Sequence, residues 1–186
     1  MMSQRKLVGL TAPSGAGKSS LAQRVLEEFP SMQLSVSVTT RPPRSYEQHG
    51  REYYFVSVPE FERLIAEEAF LEYEEVYPGR FYGTPLSALT ESDGPLLLDI
   101  DVKGAARVRS AYGGFFIFVA PPSETELKNR LNNRGTESAE TLDLRLQRAE
   151  LELACADQFD ALVVNDSLDR AAMEAIALIK DYLRDE

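Results

Sequence analysis

Between an apolar run, Lys6–Thr11, and a helical pattern, Lys18–Glu28, lies the segment Ala12-Pro13-Ser14-Gly15-Ala16-Gly17-Lys18-Ser19. Small residues let consecutive backbone N–H groups turn inward around anionic oxygens, and Gly15 and Gly17 supply the freedom. A helix opening at Lys18 directs its positive end to the same place. Lys18 reaches the β- and γ-phosphates of a nucleoside triphosphate, and the Ser19 hydroxyl suits Mg²⁺. The candidate contacts for the nucleoside triphosphate are therefore Ala12, Pro13, Ser14, Gly15, Ala16, Gly17, Lys18, Ser19 and the adjoining Ser20. Ala12 stands where the first glycine of the usual pattern is expected, which limits the backbone there slightly.

A strand–loop–helix of this kind belongs to an α/β fold, and the rest of the chain alternates accordingly. Leu34–Val38 and Tyr53–Val58 read as strands, Pro59–Ala69 as a helix with proline in its first turn. Pro95–Ile100 and Phe115–Ala120 are further strands, and Ser123 with Glu126 has capping-box spacing for a helix to about Leu131. Leu142, Leu146, Ala149, Leu153 and Ala156 fall on one stripe of a long helix that also contains Cys155. Ala161–Asn165 is a last strand, and Leu168–Leu183 a closing amphipathic helix. About 37 to 90 departs from the alternation and reads as an insertion on the core.

A net charge of −10 argues against a broad nucleic-acid-binding face. No apolar run approaches a membrane span, nor do the few apolar residues after Lys6 amount to a secretory signal. The single cysteine cannot close an internal disulfide, which fits a cytoplasmic protein. Leu96-Leu97-Leu98-Asp99 has the form of the second P-loop strand, whose terminal Asp supports the metal through water. If that strand continues through Ile100, Asp101 shares a face with Asp99.

Positive charge gathers twice. Thr39-Thr40-Arg41-Pro42-Pro43-Arg44 stiffens two guanidiniums in one loop, with Tyr53 following, and Arg forks match phosphate oxygens. Arg130, Arg134, Arg145 and Arg148 surround a glycine-containing bend, as a closing lid over a transferring phosphoryl group requires. The Asn-Lys-x-Asp guanine signature of GTPases does not occur. These residues alone leave two alternatives open: a kinase for another phosphorylated acceptor, or a binding module that grips phosphorylated peptides.

The blocks Ala12–Ser19, Ser35–Arg44, Gly50-Arg51-Glu52-Tyr53-Tyr54-Phe55, Phe70-Leu71-Glu72-Tyr73, Tyr82-Gly83-Thr84, Leu98–Asp101 and Arg134-Gly135-Thr136-Glu137 together resemble the guanylate kinases, in that family's order, over about residues 5 to 183. The resemblance implies an α/β P-loop core with a parallel sheet and flanking helices, a small GMP-binding insertion and a lid. The core would take about 1–36, 93–128 and 157–186, the insertion about 37–92 and the lid about 129–156. It further implies that Arg41, Arg44, Tyr53 and Tyr82 hold the GMP phosphate, and that Ser37, Glu72, Thr84 and Asp101 read guanine. Lys18, Arg134 and Arg145 would be catalytic, Asn165 would lie near the donor adenine, and Ser19 with Asp99 would serve Mg²⁺. ATP and GMP are the implied partners. A carboxylate at Glu72 makes chemical sense, because guanine offers N1–H and an amino group side by side while adenine N1 is an acceptor.

Overall fold

The computed structural model of the chain describes residues 5–91, 93–132 and 139–184. Strand β1 (Leu7–Thr11) is buried at every position, and the glycine loop after it leads into helix α1 (Lys18–Glu28). β2 (Gln33–Leu34), β7 (Leu96–Asp99), β8 (Phe115–Ala120) and β9 (Ala161–Val164) join β1 in a parallel sheet of order β2-β7-β1-β8-β9. Alternate side chains feed two cores, as the two-residue period of a strand requires. Val8, Leu10, Leu97, Ile117 and Val119 pack with α1 and with α6 (Leu168–Arg184). Leu7, Leu96, Leu98, Phe116 and Phe118 pack with α3 (Val102–Tyr112). Such a sheet, covered on both faces, explains why its strands read as continuous apolar runs.

A second, four-stranded sheet has the order β4-β3-β6-β5. It consists of β3 (Ser37–Thr39), β4 (Tyr53–Phe55), β5 (Phe70–Tyr77) and β6 (Arg80–Pro85). β3 and β4 run parallel, while β5 and β6 form an antiparallel hairpin whose β6 edge joins β3. Helix α2 (Val58–Ala66) starts at Ser57, which caps Glu60, and stacks its buried Phe61 on Phe70. The remaining helices are α4 (Glu124–Asn132) and α5 (Ala139–Leu153).

Several expectations change. The single strand expected at Leu34–Val38 is two: Ser35 N–H still bonds Leu97, but from Ser37 the chain pairs with Tyr53 in the other sheet. Tyr53–Val58 is strand only to Phe55, because Ser57 turns the chain into α2. The strand before Asp101 does not continue through Ile100. It ends at Asp99, and Asp101 is the N-cap of α3, accepting from Gly104 N–H at 2.8 Å. Helix α3 and the β5–β6 hairpin add to the expected elements. Ala156 belongs to a short 3-10 turn after α5, and Cys155 sits between the two.

Candidate active site

Gly15 and Gly17 both adopt φ of +92°, the left-handed region that glycine enters without strain. Their loop is anchored from behind. Asn165, buried just after β9, donates from its side-chain amide to Ala16 O at 2.7 Å. Its own carbonyl accepts from Arg130 at 3.0 Å, and Arg130 is held by Glu126. Asn165, expected near the donor adenine, is buried and braces the phosphate loop through this bond. Ala16 is likewise buried.

In front of the loop, Lys18 Nζ lies 2.7 Å from Asp99 Oδ1 and donates to Ile100 O at 2.6 Å. Ser19 Oγ donates to Asp99 Oδ2 at 3.0 Å. Parallel pairing of β1 with β7 brings the loop and Asp99 together, since Leu10 stands opposite Asp99. The hydroxyl and carboxylate are hard oxygen donors, the set Mg²⁺ takes alongside phosphates and water. Among the described residues no group of three or more His, Cys, Asp or Glu forms a cage for a metal on its own.

The same cleft is walled by the second sheet. Ser37, Arg44, Tyr53, Glu72 and Tyr82 line it with Asp101, and α5 contributes Arg145, Arg148 and Glu152. Glu72 is 8% exposed and sits opposite Thr84 in the β5–β6 ladder, next to a register shift that re-aims the strand. The Thr84 hydroxyl donates to Glu72 Oε1 at 2.6 Å. Burial pushes the Glu72 carboxyl up to about 7; Asp101 adds to the rise and the Thr84 hydrogen bonds oppose it. Thr84 itself is fully buried and supports Glu72 from behind.

Arg41 does not line the cleft. Glu47, its side chain 3% exposed, takes both Arg41 terminal nitrogens at 2.8 and 2.9 Å and also the Arg44 N–H at 2.7 Å. Burial alone would lower the Arg41 pKa, but the hydrogen-bonded Glu47 overrides it and raises it. The guanidinium lies 5.4 Å from the centre of the Tyr53 ring, and Tyr53 meets Tyr82 edge-on. Glu47, an acid three residues beyond Arg44, escaped the sequence reading because the loop carrying it shows no period. Arg148, expected in the lid cluster, does line the cleft, bonded at 2.7 Å to Glu152, which the sequence patterns do not single out; their i,i+4 spacing is the available signal. Arg148 further donates to Val76 O, tying α5 to β5, and with Arg145 it flanks the Tyr77 ring. Arg134 lies outside the described residues.

A phosphate loop with its lysine, hydroxyl and strand-end aspartate, facing a second polar wall across one cleft, defines a P-loop nucleotide-binding phosphotransferase. The model of the family described as guanylate kinase matches residues 4–185. The chain belongs to the guanylate kinase family. It is 52% identical to the guanylate kinase of Salinibacter ruber over 98% of this chain and 99% of that one. It is 46% identical to that of Chlorobium luteolum, over 96% and 92% of the two chains. The crystal structure of guanylate kinase from Anaplasma phagocytophilum superposes with a TM-score of 0.80 at 31% identity, covering 99% of this chain and 88% of that one.

Proposed function

We propose that the protein transfers the γ-phosphoryl group of ATP to GMP, giving ADP and GDP, with the residues of this cleft in the following roles. The observation that carries the reading is the buried Glu72 carboxylate, seated between Thr84 and Asp101 in the same cleft as Lys18, Ser19 and Asp99. The ATP phosphates lie along Ala12–Ser20, where loop N–H groups and the start of α1 receive them. Asn165 keeps that loop in shape from beneath. Ser19, and Asp99 through water, would hold Mg²⁺, which would neutralise charge on the phosphate oxygens.

Opposite, Arg44, Tyr53 and Tyr82 grip the GMP phosphate, with Arg41 oriented by Glu47 behind them. Ser37, Glu72 and Asp101 form the guanine subsite, with Thr84, expected to read the base, holding Glu72 in place. N1–H and the 2-amino group donate to the carboxylates, which selects the ionised form of Glu72. A GMP phosphate oxygen attacks the γ-phosphorus while the bond to the β–γ bridging oxygen breaks. The acceptor phosphate, with a second pKa of about 6, is already largely ionised, so no general base is needed. Alignment and charge stabilisation by Lys18 and by Arg145 and Arg148 of α5 carry the rate. Arg134 is assigned the same role by its sequence block, within a proposed lid of about 129–156 and beside a proposed GMP-binding part of about 37–92.

Among the described residues no helix is long and apolar enough to cross a membrane, and the lone Cys155 thiol suits a cytoplasmic setting. ADP release coupled to NADH oxidation, measured with GMP, AMP, UMP and CMP as acceptors, tests the assignment. GMP should be preferred by orders of magnitude. Equal turnover of AMP, or no GMP-dependent ADP release, would overturn it.

A further inference from the structure

Gly104 is the third residue of α3, and it is buried. Its φ is not positive, so no special turn requires glycine there. In the first turn of a helix, alanine is the better residue by intrinsic propensity. What excludes it is space. A Cβ at this position would lie 2.4 Å from Oε2 and 2.8 Å from the carboxyl carbon of Glu72, with Asp101 Oδ1 next at 3.4 Å. The Gly104 N–H meanwhile donates to that same Asp101 oxygen. Both carboxylates assigned to guanine therefore converge on one residue, one through a hydrogen bond and the other through a missing side chain.

We infer that Gly104 is a positioning residue for base recognition, its bare Cα leaving the seat in which the Glu72 carboxylate presents Oε2 to the substrate's base. The inference rests on the assignment of Glu72 to guanine. Oε1 of Glu72 accepts from the Thr84 hydroxyl, while Oε2 packs against Gly104. A methyl group at Gly104 would overlap Oε2. The nearest atoms belong to the end of a side chain and not to backbone, so the collision is relieved by turning the carboxylate about its Thr84 bond. Chain folding is thereby spared while the recognition geometry is lost.

The test compares wild type, Gly104→Ala, Glu72→Gln, Glu72→Asp and the Glu72→Asp/Gly104→Ala double variant on GMP, IMP and AMP at saturating MgATP, with melting curves for each. IMP lacks only the 2-amino group of GMP. In Gly104→Ala, loss of the charge-assisted contact should lower kcat/KM for GMP about 10- to 150-fold, chiefly through KM. The gap between GMP and IMP should narrow, while activity on AMP, KM for ATP and the melting temperature hold or rise. A glycine needed only for packing predicts the reverse pattern, a lower melting temperature with base preference intact, and that result overturns the inference.

The double variant decides the matter if Gly104→Ala fails to fold. Aspartate withdraws the carboxylate by one methylene and removes the overlap, so the double variant should be no worse on GMP than Glu72→Asp alone. Additive losses overturn the role of Gly104. If Glu72→Gln keeps the preference for GMP, the guanine assignment itself falls and this inference with it. If Glu72→Gln loses the preference and Gly104→Ala keeps it, only the role of Gly104 falls.

Discussion

Replacing Glu72 by Gln should make the protein more stable and a worse enzyme for GMP. A carboxyl raised from 4.5 to about 7 in the folded chain is harder to ionise there than in the unfolded chain. At about 1.36 kcal/mol per pH unit, ionised Glu72 destabilises the fold by about 3 kcal/mol. The sign follows from proton counts. Between pH 4.5 and about 7 the native state holds more protons at this site than the unfolded state, so stability falls as pH rises. The loss is complete above about 7 and absent below 4.5, where both states are protonated.

Glutamine cannot ionise, and its carbonyl oxygen can still accept from Thr84 Oγ1. At pH 8 its melting temperature should exceed that of wild type by about 6–12 °C, taking about 2–4 °C per kcal/mol for a chain of this size. The gap should close as pH falls toward 4.5. In the same variant kcat/KM for GMP should drop about 10- to 150-fold, because one acceptor becomes a donor and the charge is lost. Activity on AMP should fall far less. Melting curves from pH 5 to 8.5, set beside the acceptor assay, read both effects. A variant less stable than wild type at pH 8, or a gap that does not move with pH, refutes the burial argument; equal losses on GMP and AMP refute the recognition argument.

The other predictions concern the supports of the cleft. Lys18→Ala should lower turnover by orders of magnitude while the melting curve stays close to wild type, since Lys18 is paired with the partly exposed Asp99 and a loop carbonyl; near-normal turnover removes the P-loop mechanism. Glu47→Gln weakens the bidentate grip on Arg41 and should raise KM for GMP roughly tenfold, leaving KM for ATP unchanged; steady-state kinetics in both substrates would expose an equal effect on the two. Asn165→Ala removes the brace on Ala16 O and leaves that carbonyl buried, so stability should fall by about 1–3 kcal/mol and KM for ATP should rise more than KM for GMP. Denaturant melts and the same kinetics check it, and a selective effect on GMP would contradict the brace.

What the sequence determined alone was a set of segments whose signals lie in adjacent residues. The strand–loop–helix of Leu7–Glu28, the all-apolar Phe115–Ala120 and the amphipathic closing helix each contain their own signal, because backbone freedom, capping and burial period are local properties. The family likeness of the blocks identified the candidate residues, but not what each one touches. Only tertiary structure split Leu34–Val38 between two sheets, since the switch depends on whether Leu97 or Tyr53 offers the next hydrogen bond. It also ended the strand at Asp99 and made Asp101 a helix cap, turned Arg41 onto Glu47, and set Asn165 beneath the phosphate loop. The same holds for Gly104, whose importance is invisible until β5 brings Glu72 against α3. A pairing or an exclusion between distant segments is a property of two surfaces in contact, and no local propensity of either segment encodes it.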